Sequence, residues 1–415
     1  MEYTLGYGKG NVCVSLPEAN VQKVLLPNDV PHEFMGEEEV RRGLLHPIGS
    51  KRLCEIAHKG QKVVIVTSDI SRPMPSYVVL PPLLEELNAA GVPDADITIV
   101  LALGSHRAHT EEEQRALVGD AVFERVQVMD SDMNRCVQVG TTPDGTPVDM
   151  FEPVVQADLR VLLGNIEYHY FVGYSGGAKA LMPGVSSRRA IQTNHSRMIL
   201  PEAHAGAIES NPIRMDIEAI LPFIPVAFIC NVVLDEHKHV VRCVAGDVIK
   251  AHREGCKYLD SLYAVQIQEK ADCVIVSQGG YPKDLNIYQA QKALDNARHA
   301  VKKGGTIIWV SSCKEGYGSD VFERWIRDYN TPQQCVEEIE KHFELGGHKA
   351  AAIAMAAMDA RLVFVNDLPD EMTHMVYSEP AKSVQEAADE VLSQNPNATF
   401  ILMPYGGSTL PKCQA

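Results

Sequence analysis

At 415 residues the chain exceeds the size at which one hydrophobic core keeps growing, so its length favours two or three domains; 45% hydrophobic and 22% charged residues are ordinary for a folded protein. Lys and Arg number 38 against 54 Asp and Glu, a formal charge of −16 that would repel nucleic-acid phosphates and anionic membrane surfaces and so argues against both as partners. An anionic small substrate is still admissible where local Arg and Lys overcome that field.

The ten cysteines run from Cys13 to Cys413 without a CxxC pair, which indicates neither a thioredoxin-like motif nor a cysteine zinc site. Scattered thiols in a reducing cytosol are the expectation. The opening MEYTLGYGKG has no basic segment followed by an apolar run, and no apolar stretch approaches membrane-spanning length, so a cytoplasmic protein is expected.

Along the chain, apolar runs ending in Gly, Ser, Asp or His alternate with helical patterns, which predicts an α/β fold with largely parallel sheets. Buried strands are expected at 63–67, 97–103, 159–163 and 226–233, then at 273–277, 306–311, 361–365 and 399–403. Pro81 and Pro82 predict a helix start, with Leu83, Leu84 and Leu87 as its apolar stripe and a stop near Gly91. Thr110 and Glu113 have capping-box spacing for the next helix, and Gly119 fits its end. A third helix is expected over 284–303. Its apolar positions Ile287, Ala290, Leu294, Ala297 and Val301 leave Gln289, Lys292 and Asn296 together on another face. The main boundary is placed near 264–271, giving an N-terminal α/β domain, 1–266, and a C-terminal α/β domain, 267–415.

Ligands of open α/β sheets bind beyond the carboxyl ends of the strands, and three such ends here carry reactive groups. The first runs into SDISRP with Asp69 and Arg72, the second into GSHR with His106, and the third through Gly164 to His169. Taken singly, each has a structural alternative: a helix cap for Asp69, a surface ion pair for Arg72, a structural role for either histidine. The segment GYSGGAK invites comparison with the phosphate-binding P-loop, but Ala178 takes the second glycine position and Ala180 the hydroxyl position, which excludes a Walker NTPase. Gly176 and Gly177 could still let backbone approach a ligand and present Lys179 beside it. Ser186 and Ser187 precede a short helix leading to His195, whose imidazole could be structural or could bind nickel, copper or zinc. Gln289 and Lys292 could jointly grip a carboxylate or form a solvated helix face.

Taken in order, SDISRP, GSHR, IEYHYFVGYSGGAKALMPG, NHS and YQAQK resemble the nickel-pincer lactate racemase family over nearly the whole chain, most specifically from Glu167 to His195. The resemblance implies two α/β domains with the active site in the cleft between them. It also implies nickel held in a nickel-pincer nucleotide, pyridinium-3,5-bisthiocarboxylic acid mononucleotide, joined to the protein through a lysine thioamide. Lys179 in GGAKA would be the tether and His195 in NHS the protein's nickel ligand. His106 and His169 would be the paired acid/base residues. Asp69, Ile70 and Ser71 would line the cofactor, while Arg72, Gln289 and Lys292 would hold the substrate or a nearby cofactor phosphate. The implied reaction racemises or epimerises a 2-hydroxy acid by reversible hydride transfer through a planar 2-keto acid, with one histidine serving each enantiomer. The cofactor's biosynthesis enzymes would be partners. Where the family has a tryptophan against the substrate, this chain has His348 in ELGGHKAAA; the changed pocket wall admits a longer or more polar 2-hydroxy acid in place of lactate. The competing readings are a zinc-dependent hydrolase built from His106, His169, His195 and Asp69 and a non-catalytic protein that binds a nucleotide or organic acid.

Overall fold

The computed structural model describes residues 1–413. The chain divides into two compact units, Val30–Ser261 and a second made of Met1–Asp29 with Leu262–Ala415. Each contains a six-stranded sheet. Among the described residues no helix is long and apolar enough to cross a membrane.

In the unit Val30–Ser261 the strands Val63–Ser68 (β1), Ile97–Ala102 (β2), Gln127–Asp130 (β3), Leu159–Asn165 (β4), Phe228–Leu234 (β5) and Val240–Gly246 (β6) lie in the order β6-β5-β4-β1-β2-β3. All neighbours are parallel except the edge pair β5–β6. Central strands of such a sheet are covered on both faces, which is why β1 reads VVIVTS and β5 FICNVVL without polar alternation. The chain winds outward from β1 through β2 to β3, then returns to β4 on the other side of β1. That reversal leaves a crevice beyond the carboxyl ends of β1 and β4.

The helix Ser76–Ala89 (α1) follows β1 and contains Pro81 and Pro82 in its interior, so the start expected at Pro81 is displaced to Ser76. Packing decides this. Val79, Leu80, Leu83, Leu84 and Leu87 are all fully buried, and at about 1.5–3 kcal/mol each they outweigh about 3 kcal/mol for each interior proline. The next helix, Glu111–Val118 (α2), has the expected capping box: Thr110 Oγ1 accepts from the Glu113 N–H at 3.2 Å, and Glu113 Oε2 accepts from the Thr110 N–H at 2.9 Å. Gly119 follows with φ 85°.

The second unit contains Ala271–Ser277 (β7), Val301–Val310 (β8), Arg361–Val365 (β9), Glu379–Pro380 (β10) and Phe400–Met403 (β11), ordered β10-β9-β8-β7-β11 and completed by Val21–Val24. All pairs are parallel. The sequence places residues 1–29 with the N-terminal half, but the structure places them here. Val21 pairs with Phe400, Val24 pairs with Leu402, and Leu5 and Val14 of the opening hairpin join the core of this sheet. The helix expected over 284–303 is Ile287–Ala297. It stops there because Val301 already belongs to β8, where it pairs with Ala271.

Candidate active site

The turn after β1 begins with Asp69, which is almost fully buried. Asp69 Oδ2 is 2.7 Å from Nδ1 of His106, the residue beyond β2, and Asp69 Oδ1 accepts from Ser71 Oγ at 2.8 Å. Burial acts to raise the Asp69 carboxyl, but hydrogen bonds from His106 and Ser71 and the Arg72 cation outweigh it and hold the group below its ordinary value. A carboxylate facing Nδ1 assigns the proton there and leaves His106 Nε2 as a lone-pair nitrogen on a side chain still 38% exposed. Ile70 is exposed. Its N–H donates to His109 Nε2 at 3.1 Å, while His109 Nδ1 is 2.7 Å from Asp130 Oδ1 at the end of β3. Three strand ends are thereby joined through one turn.

Beyond β4 the chain makes the short antiparallel pair Tyr168–His169 and Gly173–Tyr174, with Tyr168 opposite Tyr174 and His169 opposite Gly173. Ser175 Oγ accepts from the Glu167 N–H at 2.8 Å and donates to the Asn165 carbonyl at 2.7 Å, closing the stem. The hydroxyls of Tyr168 and Tyr174 both donate to Asp260, at 2.6 and 2.9 Å to Oδ1. His169 Nδ1 accepts from the Val172 N–H at 3.4 Å, which assigns the ring proton to Nε2. Its ring meets Phe171 edge-on at 4.5 Å, and Phe171 meets His195 edge-on at 4.9 Å.

Lys179 lies in the one-turn helix Gly177–Ala180 and is partly buried. Burial, followed by the Arg72 and Arg214 cations, pushes its ammonium well below the ordinary lysine value. Arg214 is itself fully buried and donates to the carbonyls of Tyr174 and Gly176, so it ties the loop that carries Lys179. Gly176 and Gly177 adopt φ 78° and 61°. A Cβ on Gly176 would lie 2.9 Å from Asn231 Oδ1 and Ile166, and one on Gly177 would lie 2.9 Å from the His252 ring. The glycines therefore let this loop close on its own chain.

Ser187 caps the helix Arg188–His195 (α3), its Oγ accepting from the Ala190 N–H at 3.3 Å, and the last residue of α3 is His195. Burial and the Lys179 charge push the His195 imidazole down to about 3, so it is neutral at physiological pH.

The structure thus brings Asp69, Ser71, Arg72, His106, His169, Lys179 and His195 to one end of the sheet in Val30–Ser261. Gln289 and Lys292 lie in the other unit on Ile287–Ala297 and are exposed there. Asn296 does not share their face. It is buried, with Nδ2 donating to the Gly406 carbonyl at 2.7 Å. His348, in the first turn of Gly347–Asp359, is also buried; its Nδ1 accepts from the Gly346 N–H at 2.9 Å, and its ring lies 5.7 Å from Phe343 and 6.5 Å from Tyr288. Among the described residues no three His, Cys, Asp or Glu side chains gather as a metal site, so the donor set of the zinc hydrolase is not assembled.

Two doubly wound α/β units, one of them gathering a carboxylate-held histidine, a second histidine, a basicity-depressed lysine and a neutral buried imidazole, define an α/β enzyme. Residues 7–206 match the lactate racemase N-terminal domain and residues 266–410 the lactate racemase C-terminal domain. The lactate racemase of Thermoanaerobacterium thermosaccharolyticum is 35% identical, with 97% of each chain covered, and that of Lactiplantibacillus plantarum is 33% identical, with 98% of this chain and 99% of the relative covered. The Thermoanaerobacterium apoprotein structure superposes with a TM-score of 0.89 at 34% identity over 99% of this chain and all of that one. A Thermotoga maritima protein shares the fold, with a TM-score of 0.65 at 19% identity over 91% of this chain and 98% of its own. The chain belongs to the lactate racemase family. It is an isomerase.

Proposed function

We propose that this chain racemises or epimerises a 2-hydroxy acid, with a nickel-pincer nucleotide tethered to Lys179 and ligated through His195. The observation that supports the reading is a pair of histidines on the turns after β2 and β4, His106 held at Nδ1 by Asp69 and His169 held at Nδ1 by the Val172 N–H, in the same unit as Lys179 and His195. A neutral imidazole can take the hydroxyl proton of the substrate and the imidazolium so formed can return it, so two histidines give each enantiomer its own acid/base group.

The residues present fit the cofactor. A lysine amine of depressed basicity can act as an acyl-accepting nucleophile, and a neutral buried imidazole is a nickel donor. When bound, the group would supply the hydride acceptor for the substrate's C2 carbon. His106 Nε2 accepts the substrate hydroxyl proton for one enantiomer and His169 serves the other, the donor and acceptor roles reversing with direction. Arg72 neutralises the substrate carboxylate, while Asp69 orients His106. Asp69, Ile70 and Ser71 line the cofactor. Gln289 and Lys292 complete the grip on substrate or cofactor phosphate, and His348 shapes the pocket wall for a 2-hydroxy acid longer or more polar than lactate. The enzymes that make the cofactor are the partners this reading requires, and the cytoplasm is the compartment it suits.

Intact mass and metal analysis test the assignment in protein made together with cofactor-producing enzymes. A cofactor-sized adduct and nickel are expected, and both should be lost in K179A. Zinc in the protein with Lys179 unmodified would reject the reading. H106Q and H169Q should retain nickel while turnover falls about 10²–10⁴-fold.

A further inference from the structure

His195 is one end of a buried hydrogen-bonded relay whose other end is Asp216, on the helix Pro212–Glu218 (α4). The Asp216 carboxylate is 1% exposed and accepts from four donors. Thr142 Oγ1 donates to Oδ1 at 2.5 Å; Thr146 Oγ1, Asn194 Nδ2 and Arg197 Nη1 donate to Oδ2 at 2.6, 2.7 and 2.7 Å. The Asn194 amide also donates to the Ile213 carbonyl at 3.3 Å. Both of its acceptors lack hydrogens, so a flipped amide would set oxygen against oxygen twice in a site without solvent. Asn194 Oδ1 must then face His195, 2.8 Å from Nδ1. An amide oxygen accepts only, which requires a proton on Nδ1 and leaves the lone pair of the neutral ring on Nε2.

We propose that Asp216, acting through Asn194, is the positioning residue that fixes the tautomer of His195 and so assigns Nε2 as its metal-binding nitrogen. The second half of this statement rests on the reading of His195 as the nickel ligand; the first does not. Outer hydrogen-bond partners commonly set both the tautomer and the orientation of a ligating imidazole. Here the order is carboxylate, amide, imidazole. A neutral amide in the middle holds the ring without placing an anion against it.

The test uses the full chain labelled with ¹⁵N-histidine, with the His195 signals assigned by their absence in H195Q. Long-range ¹H–¹⁵N correlation should report the Nδ1–H tautomer in the wild type. D216N removes the charge that orients Asn194 and should shift His195 toward Nε2–H. The exchanged pair D216N/N194D again places an acceptor against Nδ1 and should restore Nδ1–H. In protein carrying the cofactor, nickel retained after dialysis against a chelator should fall about 10–100-fold in D216N and recover in the exchanged pair. A wild type in the Nε2–H form, or a cooperatively melting D216N that keeps the wild-type tautomer, overturns the proposal. Should D216N fail to fold, D216S takes its place: a shift of His195 toward Nε2–H supports the relay and retention of Nδ1–H overturns it. If the tautomers behave as stated but H195Q retains its nickel, the ligand assignment fails while the positioning role stands.

Discussion

At the scale of single residues, the Asp69–His106 pair couples a buried carboxylate to a half-exposed imidazole. Asp69 is buried, so its charge is retained only because His106, Ser71 and Arg72 stabilise it. In return the carboxylate directs His106 Nε2 outward as a base. D69N keeps the shape but offers Nδ1 an amide that can present either oxygen or nitrogen. Its kcat should fall about 10²-fold or more, in the range lost with a positioned general base, while KM changes little. Polarimetry from each enantiomer measures this, and because the equilibrium constant is fixed, kcat/KM should fall by the same factor in both directions. Equal kinetics in D69N and wild type would remove Asp69 from the mechanism. S71A deletes one hydrogen bond to the same carboxylate and should cost less, about 1.5 kcal/mol, the lower end for a charge-assisted bond.

At the scale of elements, the hairpin that carries His169 is only two residues long on each side, too short to hold itself. Its rigidity comes from Asp260, which accepts from Tyr168 and Tyr174 across the stem. Replacing both hydroxyls, Y168F/Y174F, leaves the rings paired at 5.5 Å but removes their two donors to the carboxylate. Amide exchange at Val172 should accelerate, and turnover should drop about tenfold as His169 loses alignment; unchanged exchange would refute the clamp. Such supports mark the limit of what the sequence discloses. Asp69, His106, His169 and Lys179 were legible because apolar strand runs stop just before them or glycines bracket them. Asp260 and Asp216 were not, since each acts on residues far away in the chain and no local spacing connects them. His109 and Asn194 stand close in the chain to His106 and His195, and that proximity is the available signal. The same distinction explains the fold: eight buried strands announced themselves by composition, whereas the start of Ser76–Ala89 and the end of Ile287–Ala297 were set by tertiary packing that overrides proline and by a strand claiming Val301.

At the scale of the whole molecule, buried neutral histidines make stability depend on pH. His252 is 1% exposed; its Nε2 donates to the Ser175 carbonyl at 2.8 Å beneath the Gly176–Gly177 turn. Burial first, then Arg214 and Arg253, push its imidazole well below the ordinary 6.5, and the Ser175 bond only partly opposes them. Below pH 6.5 the unfolded chain therefore binds a proton that the folded chain refuses, so stability rises with pH across this window and is lost on acidification. His195, depressed to about 3, acts in the same direction. Asp69, also depressed, contributes only at lower pH, because its unfolded value is near 3.8. Each such histidine removes up to about 1.4 kcal/mol per pH unit once the solution is well below its unfolded value. Urea unfolding of the apoprotein followed by far-UV circular dichroism should give a lower midpoint at about pH 5 than at about pH 7.5. Tryptophan fluorescence would be the wrong probe, since Trp309 and Trp325, the two in the chain, both lie in the Met1–Asp29 and Leu262–Ala415 unit. H252Q keeps a donor for the Ser175 carbonyl but cannot titrate, so its midpoint should change less between the two pH values whatever its stability at neutrality. An equal pH dependence in H252Q and wild type would show that the proton uptake lies elsewhere.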